Sequence, residues 1–139
     1  MINDRFKFRV WDEASGVYCN ANRFAIADCG VLLSIGNHGT ALSLQNPQGL
    51  VFEQCTGLKD ANGKLIYEGD IICGKNPEVC HEIVFDHERA CFRAELLPKT
   101  EHWMQNSAYC TLSQQWINEF SKRVVGTIHE NPELLEGKQ

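Results

Sequence analysis

Residues 51–72 read VFEQCTGLKDANGKLIYEGDII, and this stretch has the clearest turn chemistry in the chain. Asn62 and Gly63 tolerate positive φ, which a tight hairpin turn requires, and β-prone residues lie on both sides of them. A second reversal is indicated by Glu-Gly-Asp at residues 68–70, directly before an apolar run. The stretch therefore predicts short strands joined by two tight turns.

Short strands are also predicted on both sides of this stretch. Residues 5–10 (RFKFRV) alternate strictly, which places Phe6, Phe8 and Val10 on one face of a half-buried strand. A turn and residues 17–19 then complete an opening hairpin. Further strands are predicted at residues 24–27, 31–35, 40–44, 79–85, 90–96 and 122–129.

The period changes once, near the end of the chain. Leu112, Trp116 and Phe120 recur every four residues, and Ser113 is suited to the N-cap of a short helix near residues 112–120. At this spacing Trp116 and Phe120 are expected in the core, and an exposed partner groove formed with Trp103 is the alternative.

The end of the chain predicts one more helical turn. Residues 131–135 (NPELL) have an N-cap residue, then a proline at the first helical position and an acid in the first turn. Many short strands with one late helix fit a small, strongly bent sheet or barrel better than a βαβ array.

Composition bounds the class of protein. The chain has 139 residues, 43% of them hydrophobic, which is enough for the core of one domain. A net charge of −5 excludes a generally basic nucleic-acid binder. The longest apolar runs are far shorter than the roughly 20 residues of a membrane span. The first residues, MINDRFKF, do not resemble a signal peptide, so we expect a cytoplasmic protein with no membrane partner.

The seven cysteines are expected to be reduced thiols, because their number is odd, no CxxC occurs and no export signal accompanies them. One group of cysteines and histidines is close enough in sequence to be considered as a metal site. Its spacing argues against metal binding, because Cys80 and His81 are neighbours on a predicted strand and point to opposite faces. We therefore predict neither a metal site nor a cofactor. The members of that group are Cys73, Cys80, His81, His87 and Cys91.

An enzyme is also not predicted. His87 and Cys91, across a predicted hairpin, are the nearest candidates for a base and a nucleophile, but nothing in the sequence orients them. The chain has no nucleophile elbow, glycine-rich phosphate loop or HExxH motif. No catalytic residue is assigned.

The best candidate for nucleic-acid contact is a cationic face on the first strand. Arg5, Lys7 and Arg9 alternate with apolar residues, and Trp11 follows on the same side, so the face can hold phosphates and stack on a base. The alternative is protective, since charges on an edge strand prevent molecules from pairing. This protective interpretation is favoured because the net charge of −5 offers no long-range attraction for phosphates.

Three blocks of the sequence resemble the YopX family of phage and prophage proteins. The blocks are FKFRVWD at residues 6–12, TGLKDANGKLIYEGDII at residues 56–72 and VVGTIHENPELL at residues 124–135, and they occur in the family's order. The resemblance implies a mainly β fold with an SH3-like β-barrel and an additional N-terminal β meander. It implies no catalytic residue, cofactor or substrate.

On this basis we expect a β meander over residues 1–50 and an SH3-like barrel over residues 51–139, joined in one compact unit. The expected function is that of a phage-encoded, non-enzymatic binding or adaptor module. Its partner would be a second copy or another phage or host protein, and the alternative is a nucleic-acid-binding accessory factor in phage replication or regulation. Self-association is expected to use the N-terminal half, in which residues 31–35 (VLLSI) are apolar. The competing account packs them against the barrel of the same chain.

Overall fold

A computed structural model describes residues 3–20, 22–35, 41–43, 48–98 and 109–136. These residues form a mainly β fold with one short α-helix, which confirms the predicted fold class. None of the helices they form is long and apolar enough to span a membrane. In chain order the elements are β1 (Phe8–Asp12), β2 (Val17–Tyr18), β3 (Phe24–Ile26), β4 (Leu32–Ile35), β5 (Ala41–Ser43), β6 (Leu50–Lys59), β7 (Leu65–Tyr67), β8 (Asp70–Cys73), β9 (Cys80–Asp86), β10 (Cys91–Leu96), β11 (Tyr109–Thr111), α1 (Gln114–Glu119) and β12 (Arg123–Thr127), with 3-10 helices at Asp4–Phe6 and Pro132–Glu136.

The chain divides into two compact units. The smaller unit is Arg9–Phe52, and the larger unit consists of Met1–Phe8 and Glu53–Gln139. The predicted boundary between residues 50 and 51, and the SH3-like label for the second part, stay predictions.

The larger unit is built on an antiparallel sheet in the order β11-β10-β9-β8-β12, which curls into a half-barrel. Strand β7 pairs separately with β6. The core is aliphatic because the apolar side chains of these strands point inward, where α1 adds Ile117. Its fully buried isoleucines are Ile66, Ile71, Ile72, Ile83 and Ile117.

The two predicted turns are confirmed. Gly63 has φ +83° in the loop between β6 and β7, and Gly69 has φ +86° between β7 and β8, a conformation that glycine adopts without steric cost. The first turn is reinforced by Asp60, whose carboxylate accepts hydrogen bonds from the backbone N–H groups of Asn62 (2.8 Å) and Lys64 (2.9 Å).

The predicted helix is also confirmed. Ser113 is its N-cap, and the Ser113 hydroxyl accepts a hydrogen bond from the Trp116 N–H at 3.1 Å. The expectation that Phe120 lies in the core is wrong, because this side chain is 50% exposed and Ile117 occupies the core instead. Trp116 is partly buried against that core, and Trp103 lies outside the described residues.

The strand predicted over residues 5–10 is wrong in its first half. Asn3 caps a 3-10 helix over Asp4–Phe6, and its side-chain oxygen accepts a hydrogen bond from the Arg5 N–H at 3.0 Å. This local cap overrides the alternating pattern, since a side-chain acceptor offers the backbone a competing conformation. As a result Phe6 is 67% exposed, whereas Val10 is only 3% exposed, so the two do not share a buried face.

The smaller unit contains two groups of strands. In the first, β1 pairs with β2, placing Trp11 opposite Tyr18. In the second, β3, β4 and β5 form a three-stranded antiparallel sheet in that order. We call this second group the apolar sheet.

Candidate functional site

The apolar sheet begins with a tight hairpin. Between β3 and β4, the Gly30 N–H donates to the Ala27 carbonyl at 2.8 Å, and the Ala27 N–H donates to the Val31 carbonyl at 2.9 Å. Gly30 has φ +85°, so it supplies the conformation that this reversal needs. The predicted pair of strands around Asp28-Cys29-Gly30 is confirmed.

Both faces of the β3–β4 hairpin carry mainly apolar side chains, and Ser34 lies opposite Phe24 on one of them. The register pairs Ala25 with Leu33 and Ile26 with Leu32, and residues that lie opposite each other share a face. Asp28 is the sole charged residue between positions 24 and 35. One face carries Phe24, Ile26 and Leu32, and the other carries Ala25, Leu33 and Ile35.

The side chains described in β3 and β4 are not buried. Ile26 is 49% exposed, and the remaining residues of the two strands are partly exposed. Val31, next to β4 in the hairpin, is 39% exposed. Apolar residues on both faces of a sheet are typical of a sheet covered on both sides, so this exposure marks a candidate contact surface.

The four residues of the predicted cationic face fall into two units. Arg5 and Lys7 belong to the larger unit, and Arg9 and Trp11 to the smaller unit. Lys7 pairs with Asp4 at 2.8 Å, and the Arg5 guanidinium lies 5.0 Å from the ring of Phe6.

Within the smaller unit, Arg9 and Trp11 meet the same aromatic ring. The Arg9 guanidinium lies over Tyr18 at 4.5 Å, and the Trp11 ring contacts Tyr18 edge-on at 4.9 Å. Trp11 is 8% exposed, so its face is not open to a base. Nucleic-acid contact by these residues stays a prediction.

The expectation of seven reduced thiols is wrong for two of them. Cys73 and Cys80 lie opposite each other on β8 and β9 and form a disulfide with an S–S distance of 2.02 Å. Their approach depends on strand register, which the cysteine count does not reveal. The described free thiols are Cys19, Cys29, Cys55 and Cys91, and the side chain of Cys110 lies outside the described set.

The two histidines of the Cys/His group have different surroundings. His81 is buried on β9 with its ring edge-on to Trp116, whereas His87 is exposed and contacts Phe85. Cys91 is opposite Asp86 in the hairpin register. Among the residues that the structure describes, no group of three or more His, Cys, Asp or Glu could hold a metal ion.

Two buried polar features of the structure are not indicated by the sequence. Burial, assisted by the nearby Lys122, lowers the pKa of His81 to about 4, so its imidazole is neutral at pH 7. The Glu53 carboxylate lies 2.8 Å from His129 Nε2, and it also lies beneath Gly69, where an added Cβ would be 2.6 Å from Glu53 Oε2. Both depend on side chains distant in sequence, so no local motif indicates them.

The reversal at residues 68–70, which carries two acidic residues, is not a simple solvent-exposed turn. Asp70 is fully buried, and its carboxylate accepts a hydrogen bond from the Tyr67 N–H at 2.8 Å. Burial raises the pKa of Glu68, and the Glu53 carboxylate adds to that rise. These contacts hold the reversal between β7 and β8 in place, which gives the corner a structural role.

Comparison with known proteins gives a matching family and a similar solved structure. The family model described as YopX protein matches residues 7–136. The crystal structure of protein EF1440 from Enterococcus faecalis is similar with a TM-score of 0.63 and 29% sequence identity, covering 94% of this chain and 97% of that chain. No curated protein matches. The family match covers nearly the whole chain, and the chain therefore belongs to the YopX family.

Proposed function

We propose that this protein is a non-enzymatic protein-binding module and that the apolar sheet is its binding surface. The observation that supports the proposal is a sheet with apolar side chains on both faces, none of them buried in β3 or β4. Full burial of a Leu or Ile side chain is worth roughly 1.5 to 3 kcal/mol. A partner that covers several of these residues therefore gains considerable binding energy.

The chemistry of the surface favours a protein as the partner. Phosphates require cations, and the hairpin segment 24–35 has none. A broad apolar surface with little charge resembles the central part of protein–protein interfaces. The YopX membership supports a role for the module in a phage or prophage, during propagation or lysogeny.

A nucleic-acid-binding accessory factor is the second candidate, and the Arg9 stack on Tyr18 supports it. Phosphate contacts make binding strongly dependent on salt. This candidate would be established by a salt-dependent shift of a labelled oligonucleotide that Arg9→Ala abolishes. The absence of such a shift at low salt would leave the protein-binding module.

The proposal can be tested with a photo-crosslinking amino acid placed in the full chain. Position 26 lies on the apolar sheet, and position 125 on β12 of the larger unit offers a matched control. Their native side chains, Ile26 and Val125, are 49% and 44% exposed. Illumination in a bacterial host, followed by a denaturing gel, reports the proteins that contact each position.

We expect covalent protein adducts from position 26 and none of comparable yield from position 125. The adducts should disappear when Leu33→Asp places a charge on the apolar sheet, because a carboxylate is costly to bury at an interface. Circular dichroism must show that this variant keeps its strand content. Equal yields at positions 26 and 125, or no adduct at position 26, would overturn the proposal.

A further inference from the structure

Strand β3 is an edge of the apolar sheet, and its backbone geometry can be read from its pairing with β4. The Ala27 N–H donates to the Val31 carbonyl at 2.9 Å, and the Ile35 N–H donates to the Arg23 carbonyl at 2.8 Å. In an antiparallel ladder the backbone groups of alternate residues point to opposite sides. The N–H and C=O groups of Phe24 and Ile26 therefore point away from β4, at the open edge.

Strand β3 itself lacks the usual protection against pairing, and the nearest charge is Arg23, directly before the strand, whose guanidinium lies 5.7 Å from the centre of the Phe24 ring. Natural edge strands carry lysines, prolines, bulges or inward-pointing charges that block the approach of a second strand. The residues of β3 are Phe24, Ala25 and Ile26, without a charge or a proline. Among the described residues, none hydrogen-bonds to the outward backbone groups of β3, which leaves these groups for another strand.

We propose that β3 pairs antiparallel with β3 of a second copy of this chain, about a twofold axis at Ala25. The inference rests on the proposed function and names its partner. The twofold axis places Phe24 opposite Ile26 of the partner subunit. Each of these two symmetry-related pairs exchanges two backbone hydrogen bonds, so four bonds join the subunits.

The side chains favour this register. Phe24 and the partner's Ile26 would share one face of the joined sheet, and aromatic with β-branched pairs are among the stabilising cross-strand combinations. Ile26, now 49% exposed, would lie beside an aromatic ring. The two apolar sheets would join in one six-stranded sheet with a continuous apolar face.

Charge complementarity selects the antiparallel arrangement and a second copy. The flanking charges of β3 are Arg23 and Asp28, and both are exposed. The twofold axis places Arg23 opposite the partner's Ala27, one residue from the partner's Asp28 in the adjoining turn, and the long arginine side chain can reach toward that carboxylate. A parallel arrangement would instead place Arg23 against Arg23 of the partner subunit, which is repulsive.

The first test measures mass with a change confined to the outward edge. Ile26→Pro removes an outward N–H that β4 does not use, and proline is tolerated at such edge positions. Ile26→Val keeps the N–H and the β-branched side chain, so it is the matched control. By light scattering at about 100 µM, wild type and Ile26→Val should be dimers, and the Ile26→Pro dimer should be roughly 10- to 100-fold weaker.

The second test fixes the register and does not depend on the proline variant folding. At the twofold axis the two Ala25 residues form a non-hydrogen-bonded pair, whose Cα atoms lie about 4.5 Å apart, within disulfide range. Ala25→Cys should therefore form a covalent dimer under mild oxidation. Ile26→Cys should not, because its opposite residue is the partner's Phe24. Both variants are made with Cys29→Ser, since the native Cys29 thiol is exposed.

The outcomes separate this inference from the proposed function. A monomer at every concentration, or a dimer in which Ala25→Cys forms no covalent link, overturns the β3 pairing. Adducts from position 26 to a different protein would then leave the binding module in place. Loss of both the dimer and all adducts from position 26 overturns the two proposals together.

Discussion

The larger and smaller units differ in whether side chains of the same chain cap the backbone groups of an edge strand. On edge strand β12 of the larger unit, the Val124 N–H donates to the Asp60 carboxylate at 2.9 Å, and the Thr127 N–H donates to the Asn131 side chain at 3.2 Å. In the smaller unit, no described side chain accepts a hydrogen bond from a backbone N–H group of β3. One edge is capped by its own chain, and the other is the edge that we propose pairs with a second copy.

The same contrast holds for apolar burial. Five isoleucines of the larger unit are fully buried, whereas the buried hydrophobic residues described in the smaller unit are Val10 and Trp11, both on β1. Burial of apolar surface is the main source of stability. The comparison therefore indicates that the larger unit supplies most of the described apolar core, and it supports the proposal that the apolar sheet is a contact surface.

The largest expected effect tests this division with paired truncations. Ile83→Ala removes a fully buried side chain and should lower the free energy of unfolding by about 2 to 5 kcal/mol. Leu33→Ala removes a partly exposed one and should cost roughly 1 kcal/mol or less. Urea unfolding followed by tryptophan fluorescence, at about 1 µM protein to limit association, measures both. Comparable losses for the two variants would show that the apolar sheet is itself part of a stable core.

The next effect concerns the buried cap of the closed edge. Asp60 is 5% exposed, and its carboxylate accepts three backbone hydrogen bonds, from Asn62, Lys64 and Val124. Asp60→Ala leaves these donors without their acceptor and should cost roughly 2 to 4 kcal/mol. Chemical unfolding gives the loss.

Asp12 supplies the matched control in the smaller unit. It accepts hydrogen bonds from the Ala14 N–H at 3.0 Å and the Ser15 hydroxyl at 2.9 Å, in an exposed turn where water can replace it. Asp12→Ala should therefore cost much less than Asp60→Ala. Equal costs would contradict the assignment of Asp60 as the cap that closes β12.

The sequence predicts those elements whose signals are local. Three such predictions are confirmed: the turns at Gly63 and Gly69 and the N-cap at Ser113. Each depends only on residues close to it in the sequence. The first half of the predicted opening strand is wrong because a different local signal competes with it. Asn3 provides a cap that the alternating pattern does not include.

Long-range contacts are the part that the sequence does not predict. The Cys73–Cys80 bond depends on the register of β8 and β9, and the Glu53 contact with His129 joins residues far apart in the chain. The apolar run at residues 31–35 is visible in the sequence. The exposure of these residues and the position of β3 at the edge of its sheet depend on how the strands pair, which the sequence does not give.

A pH titration should separate the two units again. The pKa of His81 falls from 6.5 to about 4 on folding, because burial opposes its charged form. As pH falls below 6.5 the unfolded chain binds this proton and the folded chain does not, so stability is lost between pH 6.5 and 4. From this residue alone the loss by pH 5 should be about 2 kcal/mol.

His81→Phe keeps an aromatic ring and removes the titration. Its free energy of unfolding should fall less than that of wild type when urea melts at pH 7 and pH 5 are compared. The described part of the smaller unit contains no histidine, so this component of the pH dependence belongs to the larger unit. Parallel pH profiles for the two proteins would show that His81 takes up its proton equally in the folded and unfolded chains.

The smallest expected effect tests the second cap of β12. Gly126 lies outside the positive-φ region, so its backbone accepts alanine, but the added Cβ would overlap the Asn131 side-chain oxygen that caps Thr127. Gly126→Ala should therefore displace Asn131 and cost about 1 to 2 kcal/mol of unfolding free energy. Asn131→Ala removes the same acceptor, so Gly126→Ala should cost clearly less in that background than in wild type. A double-mutant cycle by urea unfolding measures this difference. Equal costs of Gly126→Ala in both backgrounds would mean that Asn131 is not what the alanine displaces, and that β12 is closed by Asp60 without its help.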